Sequence, residues 1–140
     1  MTAPPPITRP FRFDLPALER LLHEAGLTDT GLPEALDAYL VAREGERLVG
    51  AVGADYRGPV AVLRALAVAS RARRRGIGGA LLEALRGDAR RVGARYLLTP
   101  TATARAYFER LGYEPLEGEA RAAAEAAGLA AGDYLARPVE

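Results

Sequence analysis

Cysteine is absent from this chain of 140 residues, which excludes disulfides, thiolate metal sites and a cysteine nucleophile in one step. One histidine, His23, cannot build a zinc cluster, so no metal site is expected; it is read as a surface residue of the first helix. Lysine, asparagine, glutamine and tryptophan are also missing, and all 19 basic residues are therefore arginine. That skew suits a thermally stable protein and a GC-rich genome equally well, and neither bears on function. No apolar run reaches the roughly 18 residues of a membrane span. The start "MTAPPPITRP" has neither the basic nor the apolar region of a signal peptide, so the expected location is the cytoplasm, away from membranes. A formal net charge of +1 and few aromatics argue against a nucleic-acid partner.

What is present fits a single domain, 1–140, long enough to bury a core, with residues 1–6 as a flexible arm. "ITRPFRF" reads as a first strand, and "DLPALERLLHEAGL" as a helix with Asp14 as N-cap. "TGLPEALDAY" reads as a second short helix with Pro33 in its first turn. A hairpin follows around Glu44-Gly45-Glu46, then a turn at Arg57-Gly58-Pro59 and the almost wholly apolar "VAVLRALAV", expected to be buried on both faces. Beyond it, Leu81, Leu82, Leu85, Ala89 and Val92 mark one helix face that ends at Gly93. "RYLLT" is a strand, "PTATARAYFERLG" a helix, "YEPL" extended, "EGEARAAAEAAGL" a helix and "DYLARPV" a last strand. The alternation predicts an α/β (α+β) fold: a mixed, mostly antiparallel sheet of about six to seven strands flanked by helices.

One stretch resists a purely structural reading. Arg71, Arg73, Arg74 and Arg75 crowd the start of a helix, where the dipole is already positive and Ser, Thr or Asp would stabilise more. Ser70 lies too early to cap it. The site looks complete only with an anion, and a phosphate-bearing ligand is the natural one. A Walker A loop needs a lysine, which this chain lacks. A dinucleotide fingerprint needs a third glycine and an acid about 20 residues on, and Leu81 stands in the third slot.

The segment Arg73-Arg74-Arg75-Gly76-Ile77-Gly78 resembles the R-x-x-G-x-G/A loop of the GCN5-related N-acetyltransferases, set between "LRALAV" and "GALLEAL". "AYFERLGYEPL" resembles the later motif of that family, a helix closing on Leu111-Gly112-Tyr113. The resemblance runs from about Val49 to Leu116. It implies a GNAT-like fold and transfer of an acetyl group from acetyl-CoA to the primary amine of a small molecule. It also leaves open a non-catalytic acyl-CoA-binding or sensing module, and a homodimer among the assemblies.

By resemblance, coenzyme A is held by Arg73, Arg74, Arg75, Gly76, Ile77, Gly78 and Gly79, and by the strand backbone at Leu66, Ala67 and Val68, with Thr101 and Phe108 on the later motif. The glycines give the backbone clearance to approach a pyrophosphate, while Arg71 is read as solvated. The usual tyrosine slot of the later motif holds Phe108, and the hydroxyl has moved to Tyr107, about 100° round the helix. The resemblance makes Tyr107 the candidate general acid, with Thr99, Thr101 and Thr103 as alternatives. Asp55 and Tyr56 are placed near the acceptor. Arg64, the one charge in an apolar strand, is either a structural ion-pair member or an acceptor-binding residue. Tyr113 and Leu116 are read as core. "VLRALAV" with "YLLTPTATARAYFERLGY" is similar to a branch of the family associated with arsenic-resistance operons, which implies a small anionic amino-acid analogue, such as arsinothricin or phosphinothricin, as acceptor.

Overall fold

Strand formation in this chain follows its glycine-marked turns. In the computed structural model, which describes residues 5–102 and 104–140, Gly45 turns β2 (Tyr39–Glu44) into β3 (Arg47–Arg57), and Gly58-Pro59 turns β3 into β4 (Val60–Val68). With β1 (Ile7–Thr8), β5 (Tyr96–Pro100), β6 (Glu114–Pro115) and β7 (Tyr134–Pro138) they make one seven-stranded sheet in the order β1-β2-β3-β4-β5-β7-β6. Strand pairs β1–β2, β2–β3, β5–β7 and β6–β7 are antiparallel, whereas β4 and β5 are parallel, from Val60 opposite Tyr96 to Val62 opposite Leu98. A parallel pair needs a crossover. Here it is α2 (Ile77–Arg91), and the other helices are α1 (Leu15–Glu24), α3 (Arg105–Arg110) and α4 (Gly118–Ala126). The mixed, mostly antiparallel sheet with flanking helices is the fold class expected from the alternation.

Residue contacts divide the chain into two compact units. In the first, residues up to Ala54 together with Arg64–Leu85, Leu18, Leu22, Tyr39, Val52, Ile77 and Leu81 are fully buried. In the second, Asp55–Leu63 with Arg86–Glu140, the core gathers Val60, Leu98, Leu116, Ala123, Ala124 and Ala136. No helix among the described residues is long and apolar enough to cross a membrane.

Several local expectations are corrected. The first strand shrinks to Ile7–Thr8, and Arg12–Asp14 forms a 3-10 turn. Pro6 of the expected arm is tied to the sheet edge, its carbonyl accepting from the Arg43 N–H at 3.0 Å; the arm's first four residues lie outside the described ones. Asp14 stands at the N-cap position of α1 but makes no cap bond there. Its carboxylate accepts instead from the Phe11 N–H at 2.7 Å and from Arg43. The expected helix at Pro33 is a run of turns that ends in a 3-10 helix at Leu36–Ala38: Ala35 N–H bonds to Gly31, four residues back, but Leu36 bonds to Pro33 and Ala38 to Ala35, three residues back. Mixed spacing of that kind does not propagate an α-helix. The Leu32–Pro33 peptide is cis. Val92 leaves the apolar face of α2 and is 58% exposed, because the helix has already ended at Arg91.

Candidate functional site

The site is built at the point where β4 stops. Ala65 and Ala67 are buried while Leu66 and Val68 are half-buried, so the strand is not closed on both faces as its composition suggests. Pairing with β5 ends at Val62, and among the described residues no strand covers that edge of β4 from Leu63 to Val68. Ala69 N–H bonds to the Val49 carbonyl at 2.8 Å, and a 3-10 turn at Ser70–Ala72 redirects the chain onto the buried Ala72.

The arginine loop then runs into α2. Arg74 and Gly76 both have left-handed backbones, φ +66° and +77°. That is costly for an arginine and natural for a glycine. A Cβ added at Gly76 or at Gly79 would meet nothing within 4 Å. The protein itself therefore leaves the floor of the loop open. Ala80 N–H donates to the Gly76 carbonyl at 3.0 Å, so the N–H groups of Ile77, Gly78 and Gly79 come before the first N–H that donates within the helix. The first turn of α2 holds no acidic residue. The Ile77 side chain pins the helix start in the core, and Gly50 on β3 makes room for it: a Cβ there would lie 2.8 Å from Leu81 Cδ1 and 3.0 Å from Ile77 Cγ2. Gly50 carries no sequence signal beyond being a glycine in a strand.

The four arginines differ in what they touch. Arg73 Nε donates to the Val68 carbonyl at 3.4 Å, and Arg74 is exposed. Arg71 is not simply solvated, because its guanidinium donates to the Leu48 carbonyl at 3.4 Å. It lines a cavity of about 390 Å³ with Arg20, Glu24, Glu46 and Arg47. Arg75 forms a two-pronged pair with Glu44, which its neighbouring guanidinium holds below the usual carboxylate range. Backbone N–H groups at the helix start, glycine clearance and arginines make a donor set suited to a polyphosphate.

Also in the first unit, Arg64 is half-buried and lies against Gly31: a Cβ on Gly31 would fall 2.6 Å from its Nη1. The remaining expected residues belong to the second unit. Tyr56 donates its hydroxyl to Asp88 at 3.2 Å, and Asp55 is half-buried beside it on β3. Thr101 N–H bonds to the Asp133 carbonyl at 2.8 Å. Phe108 is 3% exposed and packs edge-on to both Tyr107 and Tyr113, while Tyr113 and Leu116 are core as expected. Tyr107 is half-buried, and burial pushes its hydroxyl above the ordinary tyrosine range against a weaker opposing pull from Arg110. Thr99 is buried with its hydroxyl unpartnered, and Thr103 lies outside the described residues. No group of three or more acidic or histidine side chains among the described residues is placed to hold a metal.

Comparisons with known proteins bear on this arrangement. The sequence profile of the Acetyltransferase (GNAT) family matches residues 8–113. No curated protein matches the sequence significantly. Among solved structures, N-acetylglutamate synthase from Neisseria gonorrhoeae, complexed with coenzyme A and N-acetyl-glutamate, superposes with a TM-score of 0.80 at 19% identity. The match covers 100% of this chain but only 36% of that one. Rv2747 from Mycobacterium tuberculosis, in complex with CoA, gives 0.76 at 19% identity over 96% of this chain and 99% of that one. YhbS from Escherichia coli, a GNAT family N-acetyltransferase in complex with CoA, gives 0.67 at 16% identity over 100% and 84%. At these identities the likeness is one of fold.

Proposed function

The chain belongs to the GNAT acetyltransferase family, and from that premise we propose that it moves an acetyl group from acetyl-CoA to the primary amine of a small anionic amino-acid analogue. The observation that carries the reading is the arginine loop with its glycine floor, open at Gly76 and Gly79, at a helix start whose first turn holds no acidic residue. Acetyl-CoA supplies a thioester, from which the attacking amine takes the acetyl group with release of a thiol. The protein's part is to bind, orient and exchange protons. Backbone N–H groups of Gly76, Ile77, Gly78 and Gly79 face the pyrophosphate, with the guanidinium groups of Arg73, Arg74 and Arg75 on outer phosphate oxygens. The uncovered edge of β4 at Leu66, Ala67 and Val68 receives the pantetheine arm as an added strand would be received, and its N–H groups polarise the thioester carbonyl.

Tyr107, whose raised pKa keeps it protonated throughout the neutral range, is assigned to protonate the departing thiolate. Phe108 supports it from the core. Asp55 and Tyr56 border the acceptor, and Arg64 holds its carboxylate, arsinate or phosphinate group. The N. gonorrhoeae protein is complexed with N-acetyl-glutamate, which accords with an acidic acceptor. One observation favours the non-catalytic reading: the tyrosine slot of the later motif is a core phenylalanine.

Gly79→Val separates these readings from an idle loop, because an added Cβ there meets nothing within 4 Å beyond its own helical turn and so projects into the open floor. CoA titrated by calorimetry is expected to bind Gly79→Val at least about tenfold more weakly, or about 1.4 kcal/mol. Equal affinity overturns the loop assignment. Thiol release from acetyl-CoA with a panel of amines then reads activity: CoA binding without release from any amine leaves the acyl-CoA-binding module. Tyr107→Phe in the same assay should lose roughly a hundredfold in turnover if it is the acid.

A further inference from the structure

Arg64 lies against a turn that neither its charge nor its strand would suggest. Gly31 has φ +73°, and a Cβ there would lie 2.6 Å from Arg64 Nη1, 2.9 Å from Ala35 Cβ and 3.0 Å from Arg64 Cζ. The guanidinium thus occupies the space that any other residue at 31 would fill. Ala35 N–H closes the turn onto the Gly31 carbonyl at 2.8 Å. The carbonyl just before it, that of Thr30, accepts from the Tyr39 hydroxyl at 2.7 Å. Tyr39 is itself immobilised: it is fully buried on β2, and its ring lies over its cross-strand partner Gly53, where a Cβ would come within 2.7 Å of Cε2. A continuous stack therefore runs from Gly53 through the Tyr39 ring and the Thr30 carbonyl to Gly31 and Arg64.

We propose that the Thr30–Gly31 turn, held by the Tyr39 hydroxyl, positions the Arg64 guanidinium and so sets the preference of the acceptor site for anionic amines. The second half rests on the acceptor reading above. An unrestrained arginine surrenders side-chain rotamer entropy when it clamps an anion. Seating the guanidinium beforehand removes much of that cost, which appears as tighter binding of anionic acceptors and no change for neutral ones. Tyr39 and Gly31 are on this view positioning residues that touch no substrate.

Two readouts test it. The first is the Arg64 Nε–Hε resonance, identified as the signal lost in Arg64→Lys, recorded in the wild type, Tyr39→Phe and Gly31→Ala. The second is KM for phosphinothricin against KM for a neutral primary amine in the thiol-release assay. Tyr39→Phe keeps the ring and removes one hydrogen bond, so the resonance is expected to move and KM for phosphinothricin to rise about three- to tenfold, with kcat nearly unchanged. Gly31→Ala should do more, and if it fails to fold Tyr39→Phe carries the test. The positioning inference is overturned if both variants fold and leave the Arg64 resonance where it was, or if Arg64→Leu raises KM while Tyr39→Phe does not. The acceptor reading fails separately, if Arg64→Leu leaves both KM for phosphinothricin and its binding unchanged. A moved resonance would then confine the stack to a structural role and overturn the link to specificity.

Discussion

Arg43 and Glu44 are neighbours at the end of β2, and each is one half of a two-pronged arginine–carboxylate pair in the first unit. Arg43 holds Asp14, with Nη1 to Oδ1 at 2.9 Å and Nη2 to Oδ2 at 2.7 Å. Asp14 is 4% exposed and also accepts from the Phe11 N–H, while the Arg43 guanidinium sits 5.9 Å from the Phe11 ring. Glu44 and Arg75 carry the same groups at 49% and 33% exposure. Identical chemistry thus has two outcomes. Once buried, a carboxylate with no partner cannot be resolvated, and the pair becomes a structural clamp. In water the pair is weak and exchangeable. That suits Arg75, since a guanidinium meant for phosphate must be able to leave its internal partner.

The largest effect should come from breaking the buried member. Asp14→Asn leaves Arg43 without its counter-charge and is expected to cost about 2–3 kcal/mol, or about 6–10 °C in Tm, read by thermal or urea unfolding. Should the variant match the wild type, the clamp is not structural.

A pH series sharpens the point. The Arg43 hydrogen bonds hold the Asp14 carboxyl below its ordinary value of 3.8, outweighing burial, which acts the other way. A depressed carboxyl stabilises the fold above its unfolded value and ceases to do so as pH falls through the lower folded one. The stability gap between wild type and Asp14→Asn should accordingly be constant from neutral pH down to about 4 and close only below that. A gap closing near neutrality would point to another group.

The smallest effect is expected at the exposed member. Glu44→Ala should leave Tm within about 2 °C. If Arg75 serves the loop, the released guanidinium should tighten CoA binding about two- to fivefold at low salt, a gain that fades near 1 M salt where screening lengths fall to about 3 Å. Unchanged CoA affinity at low salt would mean that Glu44 does not compete for Arg75.

Legibility differs in the same way along the chain. The hairpin at Gly45 and the turn at Gly58 are written in neighbouring residues. So is α2: its apolar face from Leu81 to Ala89 is buried, and Gly93 N–H bonds back to Arg90 at its end. The run "TGLPEALDAY" carries equally local signals for a helix, yet Gly31 turns left-handed there against Arg64, a contact that nothing within the run reveals. The apolar make-up of their strand likewise predicts burial for Leu66 and Val68. Apolar composition does not reveal that the neighbouring strand stops pairing at Val62.

By itself, then, the sequence determined the order of elements and the loop before α2, because glycine turns, helix periodicity and an arginine-crowded helix start act over a few residues. The assignment of each arginine belonged to the tertiary structure. Asp14 lies 29 residues from Arg43 and Glu44 lies 31 from Arg75. A two-pronged pair needs its atoms within about 3 Å, and only the packing of distant segments brings two charges that close and sets how much water remains between them.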